Sequence, residues 1–164
     1  LKEYGHLLAG DPVWEPRAKA FAARIKDVHE FLMSIPLNTA DLRPLPLRVT
    51  YQEPCHLAHA QRITAQPRKL LAAIPQLQLL EMAESSLCCG SAGIYNVTQP
   101  EMAGVLGARK VDNAAATGAD VVATANPGCA LQLTAELGKR GSPMHVRWIV
   151  ELLDEAYGPV RSLP

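Results

Sequence analysis

The sequence VVATANPGC, residues 121–129, decides the fold class of this 164-residue chain. Residues 121–125 are all apolar or β-branched, which is typical of a strand buried on both faces. Pro127 and Gly128 end the run, because proline donates no hydrogen bond to a strand ladder and glycine favours turns. Cys129 follows directly. The stretch therefore predicts an interior strand that ends in a loop carrying a thiol.

Segments of strand and helix character alternate on both sides of this strand. Further strands are predicted at 47–51, 77–82 and 144–146. Helices are predicted at 58–74, 100–117, 130–139 and 147–157. Pro67 is expected to break or kink the first of these helices. Strands that are separated by helices imply crossover connections. The sequence thus predicts an α/β fold, a mostly parallel sheet of about four strands with helices on its faces.

The residues ahead of this alternating pattern have a different character. Apolar side chains recur every three or four positions from 14 to 34, which predicts one N-terminal amphipathic helix. Its apolar face would be formed by Phe21, Ile25, Val28 and Leu32. Prolines and polar residues at 36–46 predict a connector. We therefore expect two domains, an N-terminal helical extension with its linker at 1–46 and an α/β domain at 47–164.

Composition narrows the classes of function. The chain has 16 basic and 16 acidic side chains and a pI of about 7.1, so it lacks the excess of basic charge of a nucleic-acid-binding domain. No stretch approaches the ~18 consecutive apolar residues of a transmembrane helix. The 4 cysteines are too few for a disulfide scaffold. The chain starts at Leu1 without a signal-peptide pattern, so we expect a piece of a larger, cytoplasmic protein.

The cysteines lie next to the ends of predicted strands. Cys55 follows the first strand, Cys88 and Cys89 follow the second, and Cys129 follows the third. The C-terminal ends of parallel strands open on one edge of a sheet, and ligands bind in the crevice outside that edge. We therefore expect all four thiols to converge there.

Four convergent thiols admit several roles. Single free cysteines are often small buried hydrophobes, and a Cys88–Cys89 disulfide would be strained and disfavoured in a reducing compartment. Cys55 with His56 or His59 as a base would make a nucleophile. Thiolates are also the ligands of closed zinc sites and of iron–sulfur clusters. Metal ligation is favoured because all four cysteines lie in Gly/Pro loops. Their spacing, however, favours a zinc ion and an iron–sulfur cluster almost equally.

Several motifs resemble those of a known family. They are KEYGHLL at 2–8, YQEPCHLAHAQ at 51–61, CCGSAGIYNVTQPEM at 88–102, TGAD at 117–120 and NPGC at 126–129. Together they resemble the cysteine-rich CCG domain, which is found in heterodisulfide reductases and in related iron–sulfur proteins. In detail they are similar to one branch, the C-terminal half of the glycolate oxidase iron–sulfur subunit.

The resemblance implies a metal site and no catalytic residue in this chain. Its ligands would be Cys55, Cys88, Cys89 and Cys129. The full family pattern ends in Cys-x-x-Cys, but Asn126 stands at the first of these positions, so four thiolates remain. Four thiolates suit a [4Fe–4S] cluster or one tetrahedral zinc ion. The candidates to contact the ligated sulfurs are His59, Asn126, Gly90 and His145. Of these, His145 is expected at the same edge of the sheet.

The resemblance also implies a function. The chain would be part of an iron–sulfur electron-transfer subunit in a glycolate oxidase-type complex. It would relay electrons from flavin-containing subunits whose FAD oxidises glycolate to glyoxylate. The alternative is a zinc-stabilised assembly and docking domain of the same kind of complex. Either form would bind no nucleic acid and would reach the inner face of the cytoplasmic membrane only peripherally, through the complex.

Overall fold

A computed structural model gives the fold of residues 1–158. The chain divides into two units, Leu1–Leu37 and a second unit that begins at Asn38. The second unit thus starts ahead of the predicted strand region, and the Leu45 N–H donates to the Pro75 carbonyl at 2.9 Å within it. The division into an extension with its linker and an α/β domain remains a prediction.

The first unit is helical. Within its described residues it contains α1 (Tyr4–Leu7), α2 (Trp14–Ala22) and α3 (Val28–Leu32). An N-terminal helix is therefore present as predicted, but residues 14–34 do not form one continuous helix. Asp27 restarts the helix, because its carboxylate accepts from the His29 N–H at 2.9 Å and the Glu30 carboxylate accepts from the Asp27 N–H at 3.2 Å. This reciprocal cap satisfies N–H groups at a new helix start.

The second unit is built on a parallel sheet. Its described residues include β1 (Arg48–Tyr51), β2 (Gln78–Leu80), β3 (Val121–Thr124) and β4 (His145–Trp148). These strands pair in parallel in the order β2-β1-β3-β4. β3 lies inside the sheet and is buried at every position, as its apolar run predicts. The predicted α/β architecture with a four-stranded parallel sheet is confirmed.

Helices follow the strands. In chain order they are α4 (Ala65–Ala72), α5 (Tyr95–Thr98), α6 (Pro100–Ala116), α7 (Pro127–Lys139) and α8 (Ile149–Tyr157). α8 begins two residues later than predicted, because β4 extends to Trp148 and the Glu151 carboxylate accepts from the Trp148 N–H at 2.9 Å. Among residues 1–158, no helix has the length and apolar character that a membrane span requires.

The helix predicted at 58–74 forms in two pieces. A wide π-type turn covers His56–Ala60, and α4 begins at Ala65. Arg62 separates them with a φ of 57°, in the left-handed region that a continuous helix does not contain. Pro67 lies in the first turn of α4, where its missing N–H would have no helical partner in any case. Pro67 therefore marks a helix start rather than a kink.

The core of the second unit connects β3 with α6 and α7. One apolar cluster is formed by Met82, Val111, Ala114, Val122, Leu133 and Leu137. The Gln132 amide adds a polar contact by donating to the Ala103 carbonyl at 3.2 Å. α6 follows the loop after β2, and α7 begins in the loop after β3. Their packing therefore brings those two loops together.

Candidate metal centre

The loops after β1, β2 and β3 carry the cysteines. Cys55 follows β1, Cys88 and Cys89 follow β2, and Cys129 lies in the first turn of α7 after β3. The chain passes from β1 to β2 on one side and later enters β3 on the other side of β1. Such a reversal of strand order opens a crevice beyond the strand ends. The structure thus brings all four cysteines to the sheet edge at which they are predicted.

A cavity of about 360 Å³ lies in this crevice, and all four cysteines line it. Cys89 and Cys129 are only 1% and 5% exposed, whereas Cys55 and Cys88 are half-buried. All four are free thiols. The rest of the wall is formed by His56, Ser91, Ala92, Gly93, Asn126, Pro127 and Gly128. The cavity is therefore a partly open pocket bordered by sulfur atoms and small loop residues.

The thiols interact in two pairs. The Cys129 thiol donates to the Cys89 sulfur, and this hydrogen bond is the main reason that the pKa of Cys89 falls to about 6 and that the pKa of Cys129 is raised. Burial is the main reason that the pKa of Cys88 is raised, and its neighbour Cys55 adds to the effect. The pocket therefore stabilises a thiolate at Cys89, and the thiolate is the form that ligates metals.

Backbone amides of the Cys-Cys-Gly loop face the sulfurs. The Gly90 N–H donates to Cys88 Sγ at 3.3 Å. After the hydrogen bond from Cys129, the Ser91 N–H is a further contact that lowers the pKa of Cys89. Gly90 has a φ of 92° and lies against α6, where an added Cβ would be 2.9 Å from the Ala103 Cα. Only glycine combines this turn with such close packing.

Asn126 begins α7. Its Oδ1 accepts from the Cys129 N–H at 3.1 Å, and Pro127 takes the first helical position. An Asn followed by Pro is a helix-start signal, which explains why α7 begins at Pro127 rather than at Ala130 as predicted. The Asn126 Nδ2 also lies 3.5 Å from His56 Nδ1. Asn126 therefore lines the cavity and positions Cys129 at the same time.

Replacement of Asn126 with alanine is expected to lower the free energy of unfolding by about 1 kcal/mol, because the Cys129 N–H loses its acceptor. For a chain of this size that corresponds to a fall of roughly 2–4 °C in Tm. Asn126→Ser is the control, since serine also caps helices. Thermal unfolding of the metal-free chains measures the difference, and an Asn126→Ala variant as stable as the parent would contradict the cap.

The histidines lie in different places. His56 lines the cavity, although the sequence singles out His59 as the candidate. His59 is exposed, and its Nε2 is 3.2 Å from the Ser86 carbonyl. His145 begins β4 opposite Val121, so it lies at the N-terminal edge of the sheet and is not brought to the thiols. No local sequence signal distinguishes His56 from His59, because both follow Cys55 within a few residues.

Polar contacts hold the first two cysteine loops together. The Glu53 N–H donates to the Ser85 carbonyl at 3.0 Å, and Ser85 Oγ donates to the Glu53 carboxylate at 3.2 Å. Arg68 of α4 forms ion pairs with Glu53 and, at 2.8 Å, with Glu81. Glu53 is buried, so the loss of Arg68 would leave an unpaired buried charge. These contacts fix the loop of Cys55 against the loop after β2.

The donor set has the chemistry of an iron–sulfur site. Four thiols border one cavity, and amide N–H groups face the sulfurs, both of which are features of cluster sites. Among residues 1–158, no three His, Cys, Asp or Glu side chains lie close enough together, as they stand, to hold a metal ion. The four thiols that border the cavity match, in their chemistry, the ligand set of an iron–sulfur cluster.

A protein family matches this chain. The family is described as the cysteine-rich domain CCG, and it matches residues 49–134. These residues include nearly all of β1 and all of β2 and β3, together with all four cysteines. The matched segment thus contains the cavity and the loops that form it.

Individual relatives match over most of the chain. It is 40% identical over 161 residues to the probable glycolate oxidase iron-sulfur subunit of Bacillus subtilis (strain 168), covering 96% of this chain and 36% of that protein. It is 33% identical over 156 residues to lactate utilization protein A of an Exiguobacterium species, covering 94% and 63%. It is 38% identical over 134 residues to a fumarate reductase (CoM/CoB) subunit of Methanothermobacter marburgensis, covering 81% and 27%. The chain therefore spans only part of each relative.

Proposed function

We propose that this chain, which belongs to the cysteine-rich CCG domain family, holds an iron–sulfur cluster and passes electrons within a larger oxidoreductase. The observation that carries the proposal is the cavity with four free thiols on its wall. The ligands would be Cys55, Cys88, Cys89 and Cys129. The name of the Bacillus relative, an iron-sulfur subunit, supports the same assignment.

The residues around the cavity have separate tasks. When bound, an iron–sulfur cluster accepts and releases electrons at a potential that burial and hydrogen bonds to sulfur tune. Cys89 and Cys129 are the buried ligands and keep water away from their side of the site. The Gly90 N–H donates to the Cys88 sulfur and thereby stabilises negative charge there. Cys55 and Cys88 are half-buried, so an electron-transfer partner would approach on their side.

We further propose that the cluster is of the [4Fe–4S] type. Four cysteine thiolates are the usual ligand set for such a cluster. The Asn126 Oδ1 is engaged by the Cys129 N–H, so this side chain serves the loop and leaves ligation to the thiols. His59 would act from outside, by holding the Ser86 carbonyl ahead of Cys88.

We also propose that the electrons come from a small 2-hydroxy acid such as glycolate, which flavin-containing partner subunits oxidise. Two relatives support this, one named as a glycolate oxidase subunit and one named as a lactate utilization protein. Glycolate and lactate are both 2-hydroxy acids. Free thiols suit a reducing compartment, so we propose the cytoplasm as the location, with any membrane association made through the complex.

Anaerobic reconstitution with ferrous iron and sulfide tests the cluster. We expect about four iron and four sulfide per chain, the content of one [4Fe–4S] cluster, and an EPR signal after reduction with dithionite. The control is the chain with all four cysteines changed to serine, which should retain neither. One zinc ion per chain that iron does not displace, with no paramagnetic signal, would overturn the proposal and favour a zinc-stabilised docking domain.

A further inference from the structure

Lys110 of α6 is completely buried, with 0% of its surface exposed. Lysine is almost never fully buried unless it is paired, so its surroundings need an explanation. The ammonium donates to two backbone carbonyls, those of Glu84 at 2.6 Å and Ser85 at 3.1 Å. Both acceptors are neutral backbone groups, so these hydrogen bonds place no negative charge beside Lys110, and the charges that act on it come from the Glu84 carboxylate and the nearby sulfurs.

The two acceptors lie in the segment that leads to Cys88 and Cys89. Glu84 has a φ of 53°, a conformation that non-glycine residues seldom adopt without fixed contacts. The Ser85 carbonyl accepts from Lys110 and also from the Glu53 N–H of the loop after β1. Lys110 therefore reaches the point at which the first two cysteine loops meet.

Other residues of α6 fix the same segment. Arg109 Nε and Asn113 donate to the Glu84 carboxylate at 2.8 and 2.9 Å. Arg109 is exposed and forms an ion pair with that carboxylate, whereas Lys110 points inward. The helix thus holds Glu84 by its side chain from the surface and by its backbone from the core. The inner contact holds the Lys110 ammonium at the backbone of the segment that leads to Cys88 and Cys89.

The charge of Lys110 acts on the thiols. Burial lowers the pKa of Lys110, and that shift is opposed first by Cys89 and then by the Glu84 carboxylate, Cys129 and Cys88. In the other direction, Lys110 helps to lower the pKa of Cys89, after the larger contribution of the hydrogen bond from Cys129. A cation in a poorly solvated position interacts strongly with nearby charge because water does not screen it.

We propose that Lys110 is a positioning residue for the cluster site, which holds the segment before Cys88 and raises the reduction potential through its buried charge. This rests on the proposed iron–sulfur function. Each added electron makes a thiolate-ligated cluster more negative, so a fixed cation at the segment before Cys88 stabilises the reduced form. An apolar side chain of the same length would fill the space but supply neither the charge nor the two hydrogen bonds.

Substitutions at position 110 separate charge from packing. Lys110→Met and Lys110→Gln remove the charge from a side chain of similar shape, and Lys110→Arg keeps it. Arg140→Met is the control, because it removes one positive charge from the exposed pair that Arg140 forms with Asp112 of α6. Each chain is reconstituted anaerobically with iron and sulfide, its iron is measured, and its one-electron reduction by dithionite is followed by EPR in a mediated redox titration.

We expect Lys110→Met and Lys110→Gln to lower the ratio of reduced to oxidised cluster at a fixed potential roughly tenfold, equivalent to about 59 mV for one electron. Lys110→Arg and Arg140→Met should remain close to the parent. Loss of the cluster from the two neutral variants alone, with Lys110→Arg still loaded, would also support the role of the charge.

Several results would overturn the inference. If Lys110→Met and Lys110→Gln bind the cluster and have the same reduction potential as the parent, the charge effect is refuted and the iron–sulfur function is left intact. Loss of the cluster from every variant at position 110, including Lys110→Arg, would show that packing alone matters there. A parent chain that binds no iron would refute the proposed function and this inference together, and the iron analysis of the parent separates that result from the others.

Discussion

Replacement of Cys89 with serine is expected to abolish cluster binding and to destabilise the loaded chain in the same step. Cys89 is the most buried of the four thiols and the one whose pKa is lowered. It therefore forms the metal-binding thiolate more readily than the other three. A ligand present at about a thousandfold over its Kd stabilises a folded protein by about 4 kcal/mol. We therefore expect the reconstituted variant to unfold roughly 8–16 °C below the reconstituted parent, with little bound iron.

Two comparisons isolate the metal contribution. The metal-free forms of Cys89→Ser and the parent should differ by only about 1 kcal/mol, because a serine hydroxyl can still accept the hydrogen bond of Cys129. Ser91→Ala is the matched control, since Ser91 lines the same cavity without a thiol, and it should keep its iron. A Cys89→Ser chain with the iron content and Tm of the loaded parent would show that Cys89 is only a buried packing residue.

The convergence of the cysteines could be predicted because it depends on topology rather than on side-chain detail. A parallel sheet brings the C-terminal ends of its strands to one edge, and each of Cys55, Cys88 and Cys129 follows a different strand. The strand at β3 was equally readable, since its residues are apolar and β-branched and every one of them is buried. Neither prediction needed to know which contacts the loops make.

The predictions that were wrong concern places where a helix cap competes with continuation of the helix, or where contacts distant in sequence set the start of a strand. Periodicity predicted one helix at 14–34, but the cap at Asp27 competes with continuation and creates a second start. His145 was expected at the cysteine edge, yet β4 begins at this residue instead of ending near it. Boundaries of this kind are decided by a few hydrogen bonds, which hydrophobic periodicity does not report.

No feature of the sequence indicates that Lys110 is buried. A lysine in the middle of an amphipathic helix normally reaches solvent, and nothing within α6 marks this one as different from Arg109. Its burial follows from the carbonyls of Glu84 and Ser85, which lie about two dozen residues earlier in the chain. The separation means that only the folded loop reveals the partner. The sequence could therefore locate the thiols but not the buried cation that holds the segment before Cys88.

Gly90→Ala is expected to destabilise the metal-free chain by about 3 kcal/mol and to prevent cluster assembly. A Cβ at this position would lie 2.9 Å from the Ala103 Cα and closer still to the Ala103 carbonyl oxygen. These are backbone atoms of α6, so they cannot move aside as the end of a flexible side chain can. The loop would have to shift, which would displace the neighbouring Cys88 and Cys89.

Two other glycines separate the steric effect from the conformational one. Gly93 also has a positive φ, 57°, but a Cβ there would meet nothing within 4 Å, so Gly93→Ala should cost only the left-handed conformation, about 1–2 kcal/mol. Gly104 lies inside α6 with equally open space, and Gly104→Ala should stabilise the chain by about 0.5–1 kcal/mol. Denaturant unfolding of the three metal-free variants, followed by iron analysis after reconstitution, measures the series. If Gly90→Ala were no less stable than Gly93→Ala and bound the same iron, the Cys-Cys-Gly loop would not pack on α6 as described, and the close approach at Ala103 could not be what holds the two cysteines in place.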